Sequence, residues 1–268
     1  MRWWLALALV LASCGPASTA APVAAPSSRP VPIVTAPAES PAVLPSPTPT
    51  STEPACGDKA AGSLPSGWIC VEAVRHDMDG DGWQDAFVIL ARPASNRPGE
   101  SDEWRARVVL TGGRIYEVGF APDSVDGSSM IVGFVDADGD TRDDALVELG
   151  RGASTAMVGV FGFGRNGLAQ ASYQDGTMAR LLFAGSVRHG AAVECRSRGG
   201  RAELVLRGIS NYKADDQWDW TESVYTWSSK VLILTSERSG VIKVPHPFDP
   251  PPNEEAYWSF RCFGVDLY

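Results

Sequence analysis

Residues 77–85 read DMDGDGWQD, and residues 136–144 read DADGDTRDD. Both stretches carry aspartate at positions 1, 3, 5 and 9, and the second begins 59 residues after the first. A further step of 59 residues reaches CRSRGGRAE at 195–203, where only the last acidic position is kept, as Glu203. The sequence therefore predicts an internal repeat, with two acidic loops and a third copy that has lost most of its carboxylates.

Apolar segments surround the three copies in the same order. A strand-like segment precedes each loop, a second follows it, and two apolar runs around a Gly/Ser/Asn turn then predict a hairpin. No segment of the predicted domain shows the sustained apolar spacing of an amphipathic helix. We therefore expect an all-β fold of four-stranded antiparallel units at about 60–118, 119–177 and 178–236, with a closing segment at 237–268.

The aspartate spacing suits calcium, which takes six to eight oxygen ligands from carboxylates and carbonyls. One such loop could be an ordinary solvated turn, but two copies favour a metal, which we expect to be structural rather than catalytic. Thr141 replaces the glycine of position 6 in the second loop, so we expect that site to be the weaker one. The expected ligands are the side chains of Asp77, Asp79, Asp81, Asp85, Asp136, Asp138, Asp140 and Asp144 and the backbone carbonyls of Trp83 and Arg142.

The segments DMDGDGWQDAFVIL and DADGDTRDDALVEL resemble the FG-GAP and VCBS repeats of integrin-type β-propellers. That family carries D-x-D-G-D-G-x-x-D between the first two strands of a blade. The resemblance covers about 60–235 and implies four-stranded blades with a calcium ion in each acidic loop. Closed propellers have more than three blades, so a partial or small propeller, a compact three-unit assembly and an open stack all remain open.

The N-terminus has the features of an exported lipoprotein. A short apolar run, LALALVLA, follows MRWW and is too short to cross a bilayer. The stretch LASC at 11–14 resembles the bacterial lipobox, which implies a signal peptide at 1–13 and a lipid on Cys14; an ordinary signal peptide with a chance cysteine is the alternative. Residues 14–54 are rich in Pro, Ala, Ser and Thr and predict a linker before a folded domain at 55–268. We expect an extracytoplasmic protein anchored to a bacterial membrane.

Four further cysteines lie in the predicted domain. In an exported protein they predict two disulfides, with three possible connectivities. The favoured pairs are Cys56–Cys70, a local link, and Cys195–Cys262, which would tie the C-terminal segment to the fold.

Charge and motifs limit the classes of function. The formal net charge is −9, without a Lys/Arg cluster, which argues against nucleic acid as a partner. Gly162, Gly164 and Gly167 spell G-x-G-x-x-G, but within a predicted hairpin and not before a helix, so we do not expect nucleotide binding. Enzymatic activity stays undecided, with a non-enzyme favoured.

Tryptophans at near-alternate positions mark one predicted strand. Trp218, Trp220 and Trp227 either pack inside the fold or form a ligand-binding surface. We expect a calcium-stabilised binding, adhesion or scaffold module whose partner is an unknown surface protein or a glycan. The alternatives are a carbohydrate-active enzyme, either a hydrolase or a lyase, and a purely structural envelope component. The enzyme would need two facing carboxylates in a pocket lined by Trp218 or Trp220.

Overall fold

The computed structural model describes Cys56 and residues 62–93, 101–124, 129–262 and 265–267. The predicted signal peptide, the predicted lipidation site at Cys14 and the predicted linker lie outside the described residues. Strands dominate, and within the described part of the chain only a 3-10 turn at Glu254–Ala256 is helical, which confirms the all-β class. No described helix has the length and apolar character needed to cross a bilayer.

Sixteen strands are present in the described ranges. They are β1 (Ile69–His76), β2 (Asp85–Pro93), β3 (Ser101–Val109), β4 (Ile115–Phe120), β5 (Ile131–Val135), β6 (Asp144–Arg151), β7 (Thr155–Gly164), β8 (Gly167–Gln170), β9 (Ser172–Tyr173), β10 (Leu181–Ser186), β11 (His189–Arg198), β12 (Arg201–Ala214), β13 (Gln217–Ser228), β14 (Val231–Lys243), β15 (Phe260–Cys262) and β16 (Val265–Leu267).

The strands form a four-stranded and a twelve-stranded sheet. Three sets pair antiparallel in chain order: the first group β1–β4, the second group β5–β8 and the third group β11–β14. Strand β10 pairs with both β7 and β11 and so joins the second and third groups into one sheet. Two short parallel pairings, β11 with β15 and β14 with β9, and the antiparallel pairing of β15 with β16 complete that sheet. Neither sheet closes into a barrel or propeller over the described residues.

The three groups share cores through strands that are buried on both faces. Phe87 of β2 belongs to one core cluster with Val147 of β6 and Phe161 of β7. The adjacent Leu146 belongs to a second cluster with Leu204 of β12. Burial of both faces explains why β2 and β6 read as continuous apolar runs, without the alternation of a half-exposed strand. The second group therefore lies between the other two.

This packing brings the acidic loops to the same end of the groups. A Cβ at Gly80 in the first loop would lie 3.0 Å from Cγ of Arg142 in the second, and a Cβ at Gly139 would lie 3.0 Å from Cβ of Ala202 in the β11–β12 hairpin. His76 Nε2, at the end of β1, lies 2.7 Å from the Asp143 carboxylate. Each loop thus contacts the corresponding segment of the next group.

Both favoured disulfides are present. Cys56 is bonded to Cys70 at the start of β1, and Cys195 in β11 is bonded to Cys262 in β15. Phe260, two residues before Cys262, is fully buried and belongs to the same core cluster as both cysteines. The second disulfide therefore fastens the C-terminal segment to the third group.

A ladder of charged side chains crosses the third group. Arg207 on β12 lies 2.6 Å from the Glu194 carboxylate on β11 and 2.9 Å from that of Glu222 on β13, and Arg238 on β14 contacts Glu222 from the other side. Burial acts to raise the pKa of Glu222, but the hydrogen bonds from Arg238 and Arg207 bring it below its ordinary value.

We expect Glu222→Gln to lower the free energy of unfolding at pH 7 by about 2 kcal/mol, because charge-assisted hydrogen bonds are lost. A carboxyl whose pKa is depressed by folding stabilises the protein above its unfolded pKa of about 4.3, and the effect is lost as pH falls through the folded pKa. Denaturant unfolding at pH 7 and pH 3 should therefore show a larger difference at pH 7 than at pH 3. Glu237→Gln changes an exposed neighbour on β14, and an equal loss in that control would contradict the prediction.

Candidate metal centre

Loop 1, residues 77–85, folds around its own carboxylates. The two carboxylate oxygens of Asp77 accept hydrogen bonds from the amides of Gly80 and Gly82, each at 2.8 Å, and Asp81 accepts one from the amide of Trp83 at 2.8 Å. Gly80 and Gly82 have φ of 75° and 88°, in the left-handed region that glycine adopts without strain. The glycines at positions 4 and 6 thus allow the loop to close.

Asp85 fastens loop 1 to the neighbouring hairpin. It is the first residue of β2 and is 1% exposed. Its carboxylate accepts hydrogen bonds from the amide of Met78 at 3.0 Å and from that of Thr111, in the β3–β4 turn, at 2.9 Å. Position 9 therefore holds a buried carboxylate at a fixed place beside the loop.

Three carboxylates of loop 1 converge. One oxygen each from Asp77, Asp79 and Asp85 lies within 4.8 Å of the other two. Ligand oxygens on opposite sides of a calcium ion lie about 4.8 Å apart, so these three donors fit one shared ion. Partial burial raises the pKa of Asp79, and the negative charges around it, led by that of Asp85, raise it further. A divalent cation would offset this repulsion; the exposed Asp81 lies outside the cluster.

Loop 2, residues 136–144, repeats these backbone contacts. Asp136 accepts hydrogen bonds from the amides of Gly139 at 2.8 Å and Thr141 at 3.0 Å, and Asp144 accepts one from the amide of Ala137 at 3.2 Å. Thr141 has φ of 70°, which is strained for a β-branched residue. Position 6 is therefore less well suited to the turn in loop 2 than in loop 1.

A lysine of the third group enters loop 2. Lys230, in the β13–β14 turn, has its Nζ 2.7 Å from Asp138 Oδ2, 2.7 Å from Asp144 Oδ1 and 3.6 Å from Asp140 Oδ2. Its side chain is 12% exposed. Burial acts to lower the pKa of Lys230, but the carboxylates of Asp144 and Asp138 raise it above its ordinary value. The amine therefore carries its positive charge inside the loop.

Gly162 on β7 leaves the space that Lys230 fills, because a Cβ at this position would overlap both the Lys230 side chain and the Asp144 carboxylate. Arg142 adds a second positive charge, with Nη2 2.6 Å from Asp140 Oδ2. Partial burial acts to raise the pKa of Asp140, but the hydrogen bond from Arg142 and the charge of Lys230 bring it below its ordinary value. Within the described residues, loop 2 thus has internal cations of a kind that loop 1 lacks.

The predicted ligands are brought together in part. In loop 2, Asp136, Asp138 and Asp140 offer oxygens within 4.8 Å of one another. Trp83 and Arg142 stand at position 7, where the backbone carbonyl is the predicted ligand. The Trp83 side chain is 66% exposed, whereas that of Arg142 folds back onto its own loop. No sequence pattern indicated Lys230, which is 86 residues from Asp144 along the chain.

The three tryptophans considered for ligand contact differ in burial. Trp218 is 1% exposed and its Nε1 donates a hydrogen bond to the Asp249 carbonyl at 2.9 Å, so it packs inside the fold with no face open to a ligand. Trp220 and Trp227 are half-buried. The Trp220 ring lies against Gly240 of the paired strand β14.

A cavity of about 730 Å³ lies between the first and second groups. Two carboxylates line it, and both are ion-paired: Glu103 lies 3.0 Å from Arg92, and Glu117 lies 2.8 Å from Arg105. Burial acts to raise the pKa of Glu117, but hydrogen bonds from Arg107 and Arg105 bring it below its ordinary value. A glycosidase acid requires a raised pKa, so the lowered pKa of Glu117 does not suit it to that role.

The metal-binding potential of the described residues thus lies in the two loops, which share a backbone fold and differ in charge. Loop 1 gathers three carboxylates, whereas loop 2 gathers carboxylates around a lysine ammonium.

Comparisons of the chain with protein-family models, with curated proteins and with solved structures found no match.

Proposed function

We propose that this chain is a lipid-anchored bacterial cell-surface protein whose β groups form a calcium-stabilised binding, adhesion or scaffold module. The cluster in loop 1 carries the proposal, because Asp77, Asp79 and Asp85 place hard oxygen donors within 4.8 Å of one another. Calcium prefers such donors, and extracellular modules bind it with Kd of about 0.1–1 mM. The backbone carbonyl of Trp83 is the expected fourth donor.

The role proposed for the ion is structural. Loop 1 connects β1 to β2, and Asp85 also binds the β3–β4 turn through Thr111. A cation shared by the loop carboxylates would therefore hold these two connections of the first group in one arrangement. Repulsion among the same carboxylates is the reason that we expect the group to be less stable without metal.

The three groups further support a repeat architecture of the FG-GAP/VCBS type. Each pairs its four strands in chain order, and each loop contacts the corresponding segment of the next group. This arrangement favours blade-like units in an open or partial propeller-like stack. The pairing of β10 with β7 is a departure, because blades of a propeller are separate sheets.

The partner in this proposal is a surface protein or a glycan, and the anchor is the lipid on Cys14. Trp220 and Trp227 are the candidates for contact, since their rings are half-buried. The carbohydrate-active enzyme gains no support from the 730 Å³ cavity, where Glu103 and Glu117 are ion-paired.

Calcium at ten times its Kd is expected to raise the melting temperature of the full chain by about 3–6 °C, equivalent to about 1.4 kcal/mol. Asp79→Ala should abolish the shift, because it removes a ligand. Ser197→Ala, at the equivalent position of the third copy, should retain it. Trp83 gives a second readout, since a calcium-dependent change in fluorescence should disappear in Trp83→Phe. Identical melting in calcium and in chelator would contradict the proposal.

A further inference from the structure

Loops 1 and 2 differ in what faces their carboxylates. In loop 2 the Nζ of Lys230 lies 2.7 Å from both Asp138 and Asp144, on a side chain that is 12% exposed. In loop 1 the equivalent residues are Asp79 and Asp85, and no described Lys, Arg or His forms an ion pair with either. The same loop backbone therefore surrounds a protein cation in one copy and a cluster of acids in the other.

We propose that Lys230 is the resident cation of loop 2, that it excludes calcium from that loop, and that this contact is a metal-independent latch between the second and third groups. The ammonium already lies at contact distance from two carboxylates. A calcium ion bound to the same two groups at about 2.4 Å would occupy the space of the ammonium. Metal binding would therefore require the lysine to leave a buried position and its partners.

The turn that presents Lys230 is itself fixed. Ser229 has φ of 54°, in the left-handed region. The carbonyl of Lys230 accepts a hydrogen bond from the amide of Ser172 at 3.0 Å, and the next residue, Val231, pairs with Ser172 where β14 meets β9. The lysine thus enters loop 2 from a turn held by backbone contacts, so the latch secures the tip of the β13–β14 hairpin to the second group.

Replacing Lys230 would leave the buried Asp138 and Asp144 carboxylates without its ammonium group. Removal of one member of a buried ion pair is strongly destabilising. The Lys230 contact lies in loop 2 and does not depend on calcium binding to loop 1. A first experiment measures the latch without metal, and a second measures calcium stoichiometry, so the two proposals can fail separately.

The first experiment is a double-mutant cycle on the full chain in chelator, using thermal unfolding. Lys230→Met should lower the melting temperature by about 5–15 °C, and Asp138→Asn should lower it less. The double variant should lose clearly less than the sum of the two single losses in melting temperature, because both substitutions remove the same Lys230–Asp138 ion pair. Lys213→Met, which removes a lysine whose side chain is 77% exposed, should change it by less than about 2 °C.

Additive losses of melting temperature in this cycle would contradict the proposed latch, regardless of whether calcium binds to loop 1. If Lys230→Met does not fold, Lys230→Gln takes its place in the cycle, with the same expected non-additivity.

The second experiment titrates calcium chloride into full-length variants and measures heat. Asp79→Ala, which disables loop 1, should bind no calcium, because Lys230 excludes it from loop 2. Asp79→Ala combined with Lys230→Met should bind one ion per chain, and Asp79→Ala combined with Lys213→Met should bind none. Calcium binding by Asp79→Ala that disappears with Asp138→Ala would overturn the inference, and so would a folded Asp79→Ala/Lys230→Met chain that binds none. Absence of any Asp79-dependent binding in the wild-type background would instead count against calcium in loop 1.

Discussion

Replacing Cys195 and Cys262 together with alanine is expected to lower the free energy of unfolding by about 4 kcal/mol, because the disulfide closes 67 residues of chain. The bond joins β11 to β15 beside the buried Phe260, so the unfolded chain gains freedom while the native core also loses packing. Denaturant unfolding of the oxidised wild type and of the double variant measures the difference. The midpoint should fall without any change in calcium dependence, since this bond joins β11 to β15 whereas loop 1 belongs to the first group, on the other side of the second group.

The Cys56–Cys70 pair is the matched control for loop length. It closes only 14 residues, and the chain-entropy relation gives about 3 kcal/mol for a loop of that size. Cys56 is also exposed and Cys70 is only partly buried, whereas Cys195 and Cys262 are both buried, so the control pair contributes less core packing. A loss at Cys56–Cys70 equal to or greater than that at Cys195–Cys262 would show that loop entropy and core position do not govern these bonds.

Trp218→Ala is expected to destabilise the protein by about 3–5 kcal/mol, as deletion of a buried aromatic ring leaves a cavity. The ring packs in a small cluster with Ile209 and Val244, and its Nε1 donates a hydrogen bond to the Asp249 carbonyl. Truncation therefore removes apolar contacts and leaves that carbonyl without its donor. Denaturant unfolding at neutral pH measures the change.

Trp83→Ala serves as the exposed control, and in chelator it should change the free energy of unfolding by less than about 0.5 kcal/mol. A change below about 1 kcal/mol for Trp218→Ala would contradict the buried position. Trp220→Ala addresses the ligand-binding alternative, because its ring is half-buried. If Trp220→Ala keeps most of the stability and loses binding on a glycan array, the ring contacts a glycan.

The fold class could be predicted from sequence because its signals are local. Apolar runs around short Gly/Ser/Asn turns marked the hairpins β3–β4, β7–β8 and β13–β14, and the segments on either side of each acidic loop became paired strands. The joining of the second and third groups could not be predicted in this way. It depends on the pairing of β10 with β7 and on the parallel pairing of β9 with β14, and neither pair of strands is joined by a short turn.

The candidate site, like the fold, could be predicted from sequence only in its local features. Aspartate spacing within nine residues indicated which carboxylates would converge, and three in each loop do so. Charge balance depends on tertiary contacts: Lys230 is 92 residues from Asp138 in the chain, and His76 reaches Asp143 across two groups. Composition and spacing carry no information on such pairs. The signal peptide, the lipid on Cys14 and the linker remain predictions, since they precede the described residues.

The missing side chain at position 162 has a consequence for how this sequence can change. Asp144, Gly162 and Lys230 share one small volume, so their substitutions are coupled although they lie far apart in the chain. Alanine at 162 would require both a shorter residue at 230 and a displaced Asp144 carboxylate, and a long side chain at 230 requires that residue 162 remain glycine. Substitutions at these positions, whether evolutionary or engineered, must therefore occur in an order in which Lys230 is replaced before Gly162.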